Sequence, residues 1–93
     1  MTQTLSAKEK RNLKAAAHSL KPVIMIGDKG ITAGLIAETD SSLEHHELLK
    51  VKIAHNEKAL RQELIDELCQ QTEATLINMM GKIAIIYRQR TQD

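Results

Sequence analysis

Residues 22–36 have the sequence PVIMIGDKGITAGLI, and the order of its parts predicts the fold. The apolar run of residues 23–26 has the length of a short buried strand, and Gly27 stops it. Apolar residues then recur at helical spacing, so we expect a helix over residues 32–44. The stretch therefore predicts a strand, a tight turn and a helix, which is the beginning of a strand–helix–strand unit.

Upstream of this stretch the sequence predicts another helix. Ser6 and Glu9 have the spacing of a capping box, in which each side chain accepts a hydrogen bond from a backbone N–H that the helix leaves unpaired. Pro22 ends the helix, because the residue before a proline is disfavoured in the helical region. The inner face is an apolar stripe at i, i+3, i+4 and i+7, formed by Leu13, Ala16, Ala17 and Leu20.

Downstream, a second strand and a third helix follow. Residues 49–53 alternate apolar side chains with Lys50 and Lys52, which is typical of a strand with one face in water. Asn56 is a good N-cap for a helix that ends near residue 71. We expect this helix to bury the stripe formed by Leu60, Leu64, Ile65 and Leu68.

The last predicted elements are two strands, over residues 75–80 and 82–88, close enough at Gly81 to form a hairpin. The order is then α-β-α-β-α-β-β. Because strand–helix–strand crossovers are right-handed, the first three strands run parallel and the hairpin adds an antiparallel one. We therefore predict a single α/β domain over residues 1–93, with two layers and a mixed four-stranded sheet.

Composition limits what this domain can bind. Of 93 residues, 42% are hydrophobic, and Tyr87 is the sole aromatic residue. The core must therefore be aliphatic, and an RNA-binding surface built on stacked aromatic rings is nearly excluded. A single cysteine, Cys69, can form neither an intramolecular disulfide nor a thiolate zinc site, and a buried thiol is the simplest interpretation.

The N-terminal sequence MTQTLSAKEK lacks the apolar core of a signal peptide, and the chain has no apolar run long enough to span a membrane. We expect a cytoplasmic protein. Thirteen Lys and Arg residues against twelve Asp and Glu residues give a net charge of +1. Residues 1–30 carry six basic residues against two acidic ones, whereas residues 31–49 carry four acidic residues and no Lys or Arg. Such segregation suits a polyanion, although chance fluctuation in a small domain explains it equally well.

The turn Gly27-Asp28-Lys29-Gly30 is the first candidate site. Its glycines let the backbone approach a ligand closely, the following helix N-terminus favours phosphate, and Lys29 adds a cation. Asp28 opposes this interpretation because its carboxylate repels phosphate. The turn lacks the spacing of a nucleotide-binding P-loop. A plain strand-to-helix turn that needs positive φ is the alternative.

The first helix is the second candidate site. At 100° per residue, Arg11, Lys14 and His18 fall on one side, away from the apolar stripe. This cationic side suits phosphates, and an ordinary solvated helix surface is the alternative. Lys50 and Lys52 share one strand face, which either meets phosphates or is simply in water.

Catalytic and metal-binding sites are not predicted. His45, His46 and Glu47 are adjacent, and a helical pair of metal ligands needs a spacing near i, i+4. No Ser-His-Asp set, Cys-His set or carboxylate pair stands out, so we expect no enzyme and no cofactor.

Several segments together resemble the CRM family (chloroplast RNA splicing and ribosome maturation), in particular its single-domain, bacterial YhbY-type members. The resemblance covers residues 5–88. Its more specific blocks are A-H-x-L-x-P-V and H-E-L-x-K-V-K, and the segments that carry it are residues 13–23, 26–32, 45–53, 81–82 and 87–88.

This resemblance implies a fold like the C-terminal domain of translation initiation factor three, with sheet order 1-2-4-3. It also implies RNA binding and association with precursors of the large ribosomal subunit. RNA contact is implied at Gly27, Asp28, Lys29 and Gly30 and at basic residues around them. Asp28 departs from the family pattern, which implies a weaker or water-mediated grip on phosphate.

The resulting hypothesis is a monomeric RNA-binding protein that acts in assembly of the large ribosomal subunit. It would recognise the phosphate backbone and the shape of ribosomal RNA, and we expect no membrane or DNA partner. An adaptor that docks on proteins through residues 38–47 is one alternative, and an enzyme using His18, His45 and His46 is another. The predicted cationic contacts are Arg11, Lys14, His18, Lys21, Lys50, Lys52 and Arg88.

Overall fold

The computed structural model describes residues 5–90, which form three helices and four strands. Their order is the predicted one. The elements are α1 (Ala7–Ala17), β1 (Ile24–Ile26), α2 (Ala33–His46), β2 (Leu48–Ile53), α3 (Lys58–Thr72), β3 (Thr75–Met80) and β4 (Ile83–Tyr87).

The four strands form one mixed sheet in the order β1-β2-β4-β3. β1 pairs with β2 in parallel, and β4 lies between β2 and β3, antiparallel to both. The first three strands therefore share one direction. The α/β class, the mixed four-stranded sheet and the strand order implied by the family resemblance are confirmed.

The main core lies between one face of the sheet and the helices α2 and α3. Leu49, Val51 and Ile53 alternate along β2 toward this side, where Ala84 and Ile86 of β4 join them. α2 and α3 close the core with Leu43, Ile65 and Leu68, all without exposed surface. The core is aliphatic, as the composition predicts.

Helix α1 lies on the opposite face of the sheet, so the domain has three layers. Side chains alternate along a strand, which puts Lys50 on the face opposite Val51, and the Lys50 ammonium donates to the carbonyl of His18 at the end of α1. Ala17 and Ile85 are fully or almost fully buried, yet neither belongs to the main core. The two predicted layers are the sheet and the layer of α2 and α3, and α1 adds cover on the other face because β4 is apolar on both faces.

The helix ends follow local chemistry. At α1 the capping box is present, with the Ser6 hydroxyl and the Glu9 carboxylate each accepting a backbone N–H at 3.1 Å. At α2, Thr32 is the N-cap, and its hydroxyl accepts from the N–H of Leu35 at 3.1 Å. The N-cap of α3 is Glu57, without a side-chain cap, so the predicted role of Asn56 is wrong. Across residues 5–90, no helix is long and apolar enough to cross a membrane.

Candidate nucleic-acid interface

The Gly27-Asp28-Lys29-Gly30 segment is a tight turn between β1 and α2. The N–H of Gly30 donates to the carbonyl of Gly27 at 3.0 Å, and Gly30 has a φ of +68°. A left-handed φ favours glycine, so Gly30 is required by the backbone, whereas Gly27 has neither a positive φ nor a neighbour that a Cβ would meet. Asp28 and Lys29 are exposed at the tip of the turn.

Hydrogen bonds tie this turn to two other loops at the same end of the sheet. His55 Nε2 lies 3.0 Å from the carbonyl oxygen of Gly27, which only accepts, so Nε2 carries the proton. One Arg61 Nη1 donates to the carbonyls of His55 and Asn56, both at 2.8 Å. Lys82 Nζ donates to Asn56 Oδ1 at 2.9 Å. We call residues 27–30, 54–57 and 81–82 the three-loop end.

The predicted basic side of α1 is assembled in the structure. Arg11, Lys14 and His18 are exposed and line one shallow surface hollow together with Ala15. Their spacing of three and four residues places them on neighbouring turns. The first helix therefore presents a strip of cationic and titratable side chains to solvent, which we call the basic strip.

The basic strip faces the three-loop end. On the other side of the helix, Ala16 lines a groove of about 450 Å³ with Leu48, at the start of β2. Ala17 is buried and therefore points toward the sheet. At 100° per residue, Lys14 and His18 lie on one side of Ala17 and Ala16 lies on the other. They therefore face along β2 toward its C-terminal end, where the three loops lie.

A row of four side chains crosses the sheet between the basic strip and the three-loop end. Lys52 pairs with Met25 of β1 and Ile83 of β4, and Ile83 pairs with Met80 of β3. Residues paired across strands share a face, and Lys52 lies on the same face as Lys50 because the two are two positions apart in β2. Met25 is 60% exposed and Met80 55% exposed, so α1 does not cover this row. We call it the methionine row.

Two further predicted cations lie near the C-terminal end of α1. Lys50 is half-buried, and its ammonium donates to the carbonyl of His18 at 3.2 Å. The negative end of the helix dipole also stabilises a cation at this position. Lys21 is exposed and lines the groove with Val23 and His46. Lys52 is exposed in the methionine row.

Arg88 is placed differently from the prediction. Its guanidinium forms ion pairs with Asp40 and Glu44 and donates to the carbonyl of Thr72 at 2.8 Å, and its side chain is 17% exposed. Arg88 is at the end of β4 next to Leu48 of β2, which is the end of the sheet opposite the three loops. The prediction of an available cation at Arg88 is therefore wrong, because acidic side chains of α2 already match its charge.

Two acidic residues of α2, and Glu47 directly after the helix, lie at this end of the sheet. Asp40 and Glu44 flank Arg88, and the Glu47 carboxylate accepts from the N–H of Arg90 at 2.7 Å. The guanidinium of Arg90 donates to the last carbonyls of α2. The acidic residues that have arginine partners thus lie at the end of the sheet opposite the three loops.

The remaining chemical candidates are structural. Burial raises the pKa of the Cys69 thiol to about 12, with the Asp66 carboxylate acting in the same direction, so this thiol is not a nucleophile. Burial also raises the pKa of Tyr87, assisted by the carboxylates of Glu47 and Glu9. His45 Nδ1 bonds the carbonyl of Ser41 at 2.8 Å. Among the described residues, no group of three His, Cys, Asp or Glu side chains is arranged to hold a metal ion.

Sequence reasoning missed the residues that hold the three-loop end together. His55 and Arg61 were not singled out, and Asn56 was assigned to a helix cap. The pairs His55–Gly27 and Lys82–Asn56 are separated by 28 and 26 residues, so no local spacing indicates them. In the sequence, only the Gly81-Lys82 pair, one of the segments that carry the family resemblance, indicated that the 81–82 loop belongs to the site.

Known proteins match this chain over nearly its full length. The model of the CRS1 / YhbY (CRM) domain matches residues 5–88. An RNA-binding protein of Haemophilus influenzae is 42% identical over 85 residues, covering 91% of this chain and 86% of the relative. A protein of Pseudomonas aeruginosa, named as a probable RNA-binding protein, is 42% identical over 84 residues, covering 90% and 81%.

A solved structure agrees with the sequence matches. The solution structure of a hypothetical protein from Staphylococcus aureus matches this chain with a TM-score of 0.83 and 33% sequence identity. The match covers 97% of this chain and 94% of the Staphylococcus aureus chain. The fold, the strand order and the sequence matches agree with the resemblance carried by the A-H-x-L-x-P-V and H-E-L-x-K-V-K blocks. The chain belongs to the CRS1/YhbY (CRM) domain family.

Proposed function

We propose that this protein binds RNA through the surface formed by the basic strip, the methionine row and the three-loop end. The carrying observation is that the basic strip and the methionine row share one face of the sheet, that the three-loop end borders this face, and that all three carry lysines. Within residues 5–90, no ion pair involves Lys14, Lys29 or Lys52. Lys82 bonds a neutral amide, which leaves its charge available.

The arrangement favours contact with the phosphate backbone. Lys14 and Lys29 stand on opposite sides of the methionine row, so a nucleic-acid strand lying in the row meets cations on both sides. Each phosphate that a lysine neutralises releases counterions, which makes the affinity depend steeply on salt. The domain has one aromatic residue, Tyr87, and the surface therefore recognises backbone geometry and shape more than stacked bases.

The hydrogen bonds among the loops make this surface rigid. Arg61 fixes the 54–57 loop through two carbonyls, and His55 and Asn56 extend from that loop to Gly27 and Lys82. A preorganised surface loses less conformational entropy on binding. Asp28 is the one acidic residue in the turn, and we propose that it weakens the contact of the turn with phosphate.

The finer assignment rests on the family resemblance. We propose that the RNA is ribosomal and that the protein associates in the cytoplasm with precursors of the large ribosomal subunit. It acts there as a single domain and a monomer, as a binding protein without catalysis or a cofactor. Names of the relatives in Haemophilus influenzae and Pseudomonas aeruginosa, as RNA-binding proteins, support the broader part of this proposal.

Affinity for a ribosomal RNA fragment, measured across a salt series, tests the proposal. Lys14→Ala with Lys29→Ala should lower the affinity at every salt concentration and reduce the slope of log K against log salt by about 1.5 to 2. Lys8→Ala is the matched control, because Lys8 lies nine positions before Ala17, which places it on the side of the helix that faces away from the sheet. An unchanged slope in the double variant contradicts the proposal.

A protein adaptor that docks through residues 38–47 is the alternative. The same experiment separates it, because such an adaptor binds no naked RNA at moderate salt. Its weak point is that Asp40 and Glu44, in the middle of this acidic segment, already pair with Arg88. A partner would have to compete with an ion pair that the fold itself uses.

A further inference from the structure

We propose that the methionine row binds unpaired bases, so that the RNA segment seated on this domain is single-stranded. The inference rests on the proposed function and specifies its ligand. Met25 and Met80 are the most exposed large apolar side chains in the described chain, at 60% and 55%. Both lie in one row with Lys52 and Ile83, at the centre of the cationic surface.

The dimensions of the row suit a few bases. Strands in a sheet lie about 4.8 Å apart, so a row that crosses four strands extends over roughly 14 Å. A four-stranded sheet of this width holds about two or three bases in the RRM fold, where aromatic rings supply the contact. Here the thioether side chains of Met25 and Met80 supply polarisable apolar surface that adapts to the shape of a base.

Duplex RNA does not fit the row. Bases in an A-form helix are paired and stacked, and the helix presents phosphates and 2′-hydroxyls to a protein. Apolar side chains at the centre of a phosphate-binding surface gain nothing from such a ligand. Unpaired bases cover the methionines, while their phosphates reach the lysines on both sides. The stem of Lys52 packs along the row, and its ammonium extends to a phosphate.

A protein ligand fits less well. A second copy of the chain, packed row against row, would bring the lysines of both copies into one interface, where like charges repel. Net positive charge around an apolar strip is complementary to a ligand with apolar faces and an anionic backbone. Single-stranded RNA has both.

Two short RNAs test the inference: one without self-complementarity, and the same strand annealed to its complement. Met25→Ala with Met80→Ala should weaken binding of the single strand about tenfold and leave duplex binding unchanged. The slope of log K against log salt should not change for either RNA, because no cation is removed. Met25→Phe should strengthen single-strand binding, because an aromatic ring stacks better on a base.

Leu20→Ala is the matched control, since Leu20 is an exposed apolar residue that follows α1 and lines the groove, away from the row. Equal affinity of the methionine double variant and the unaltered protein for the single strand overturns the inference, and so does an equal loss for both RNAs. In each case the salt dependence of the unaltered protein still supports the proposed function. If the unaltered protein binds neither RNA, both proposals fail together. Sedimentation of the unaltered protein as a dimer that Met80→Ala dissociates would assign the row to a second copy and also overturn the inference.

Discussion

Replacing Arg88 with alanine tests whether this side chain stabilises the fold or binds RNA. Arg88 connects the end of β4 to α2 and to the last turn of α3, through Asp40, Glu44 and the carbonyl of Thr72. Its side chain is 17% exposed, whereas those of Asp40 and Glu44 are 57% and 39% exposed. The two ion pairs are therefore partly screened, and each contributes about 0.5 kcal/mol.

The larger part of the effect comes from the backbone and from packing. Removing the guanidinium leaves the Thr72 carbonyl, at the end of a helix, without its donor, which costs about 1–2 kcal/mol. Loss of the buried stem adds about 1 kcal/mol. We expect Arg88→Ala to lower the free energy of unfolding by about 3–4 kcal/mol. For a domain of this size, the melting temperature should fall by about 10–25 °C.

The assay pairs thermal unfolding with RNA titration at a temperature where the variant remains folded. Arg88→Ala should lose stability and keep its affinity, whereas Lys29→Ala should lose affinity and change stability by less than about 0.5 kcal/mol. Arg88→Lys keeps the charge but not the planar fork and should lie between alanine and arginine in stability. If Arg88→Ala lowers RNA affinity and leaves the unfolding transition unchanged, the structural role assigned here is refuted.

Three further predictions concern the stability contributions of Gly30, Ser6 and Cys69. Gly30→Ala should cost about 1–2 kcal/mol in urea unfolding because of its φ of +68°, whereas Gly27→Ala should stay within about 1 kcal/mol of zero; equal losses would contradict the turn geometry. Ser6→Ala should cost about 1 kcal/mol in the same assay, because the capping box is lost. Stability should fall as pH rises from 9 toward 12, because unfolding releases the Cys69 proton that the native state retains, and Cys69→Ala should flatten this fall. A thiol reagent should modify Cys69 at pH 8 only upon unfolding, and rapid modification of the native protein would contradict its burial.

The order of elements was predictable because its signals are local. The capping box at Ser6 and the apolar run ended by Gly27 each specify one element through neighbours a few residues away. The right-handed crossover rule then gives the directions of the strands. The structure contains the capping box, the strand before Gly27 and the predicted strand directions.

The position of α1 was not predictable from its own pattern. An apolar stripe on a helix indicates that one side is buried, but it does not say on which face of a sheet. The deciding residue lies elsewhere, because Ile85 needs cover on the face away from the main core. Apolar residues at 83–86, on both faces of one strand, were the signal that a second layer was needed.

The candidate site was predictable in part, for a similar reason. Arg11, Lys14 and His18 were found together because a helix brings them together. Interactions between distant segments were missed: Arg88 meets Asp40 across 48 residues, and the same charge pattern is equally compatible with an exposed cation. Sequence therefore indicates where cations are, and only the fold indicates which of them already have partners.

The division between arginine and lysine explains how a chain of net charge +1 can present a surface to a polyanion. Three arginines serve the fold: Arg61 holds a loop, Arg88 matches two carboxylates, and Arg90 caps α2. The planar guanidinium suits these roles because it donates several hydrogen bonds in fixed directions. Lys29 and Lys82 lie at the three-loop end and Lys52 in the methionine row, and on the proposed RNA surface a flexible, strongly hydrated point charge can follow the varied positions of phosphates. Asp40 and Glu44 are neutralised by Arg88 at the end of the sheet away from the three loops. The net charge of the whole chain thus understates the positive field at the basic strip and the methionine row, where Arg11, Lys14 and Lys52 form no ion pair within residues 5–90.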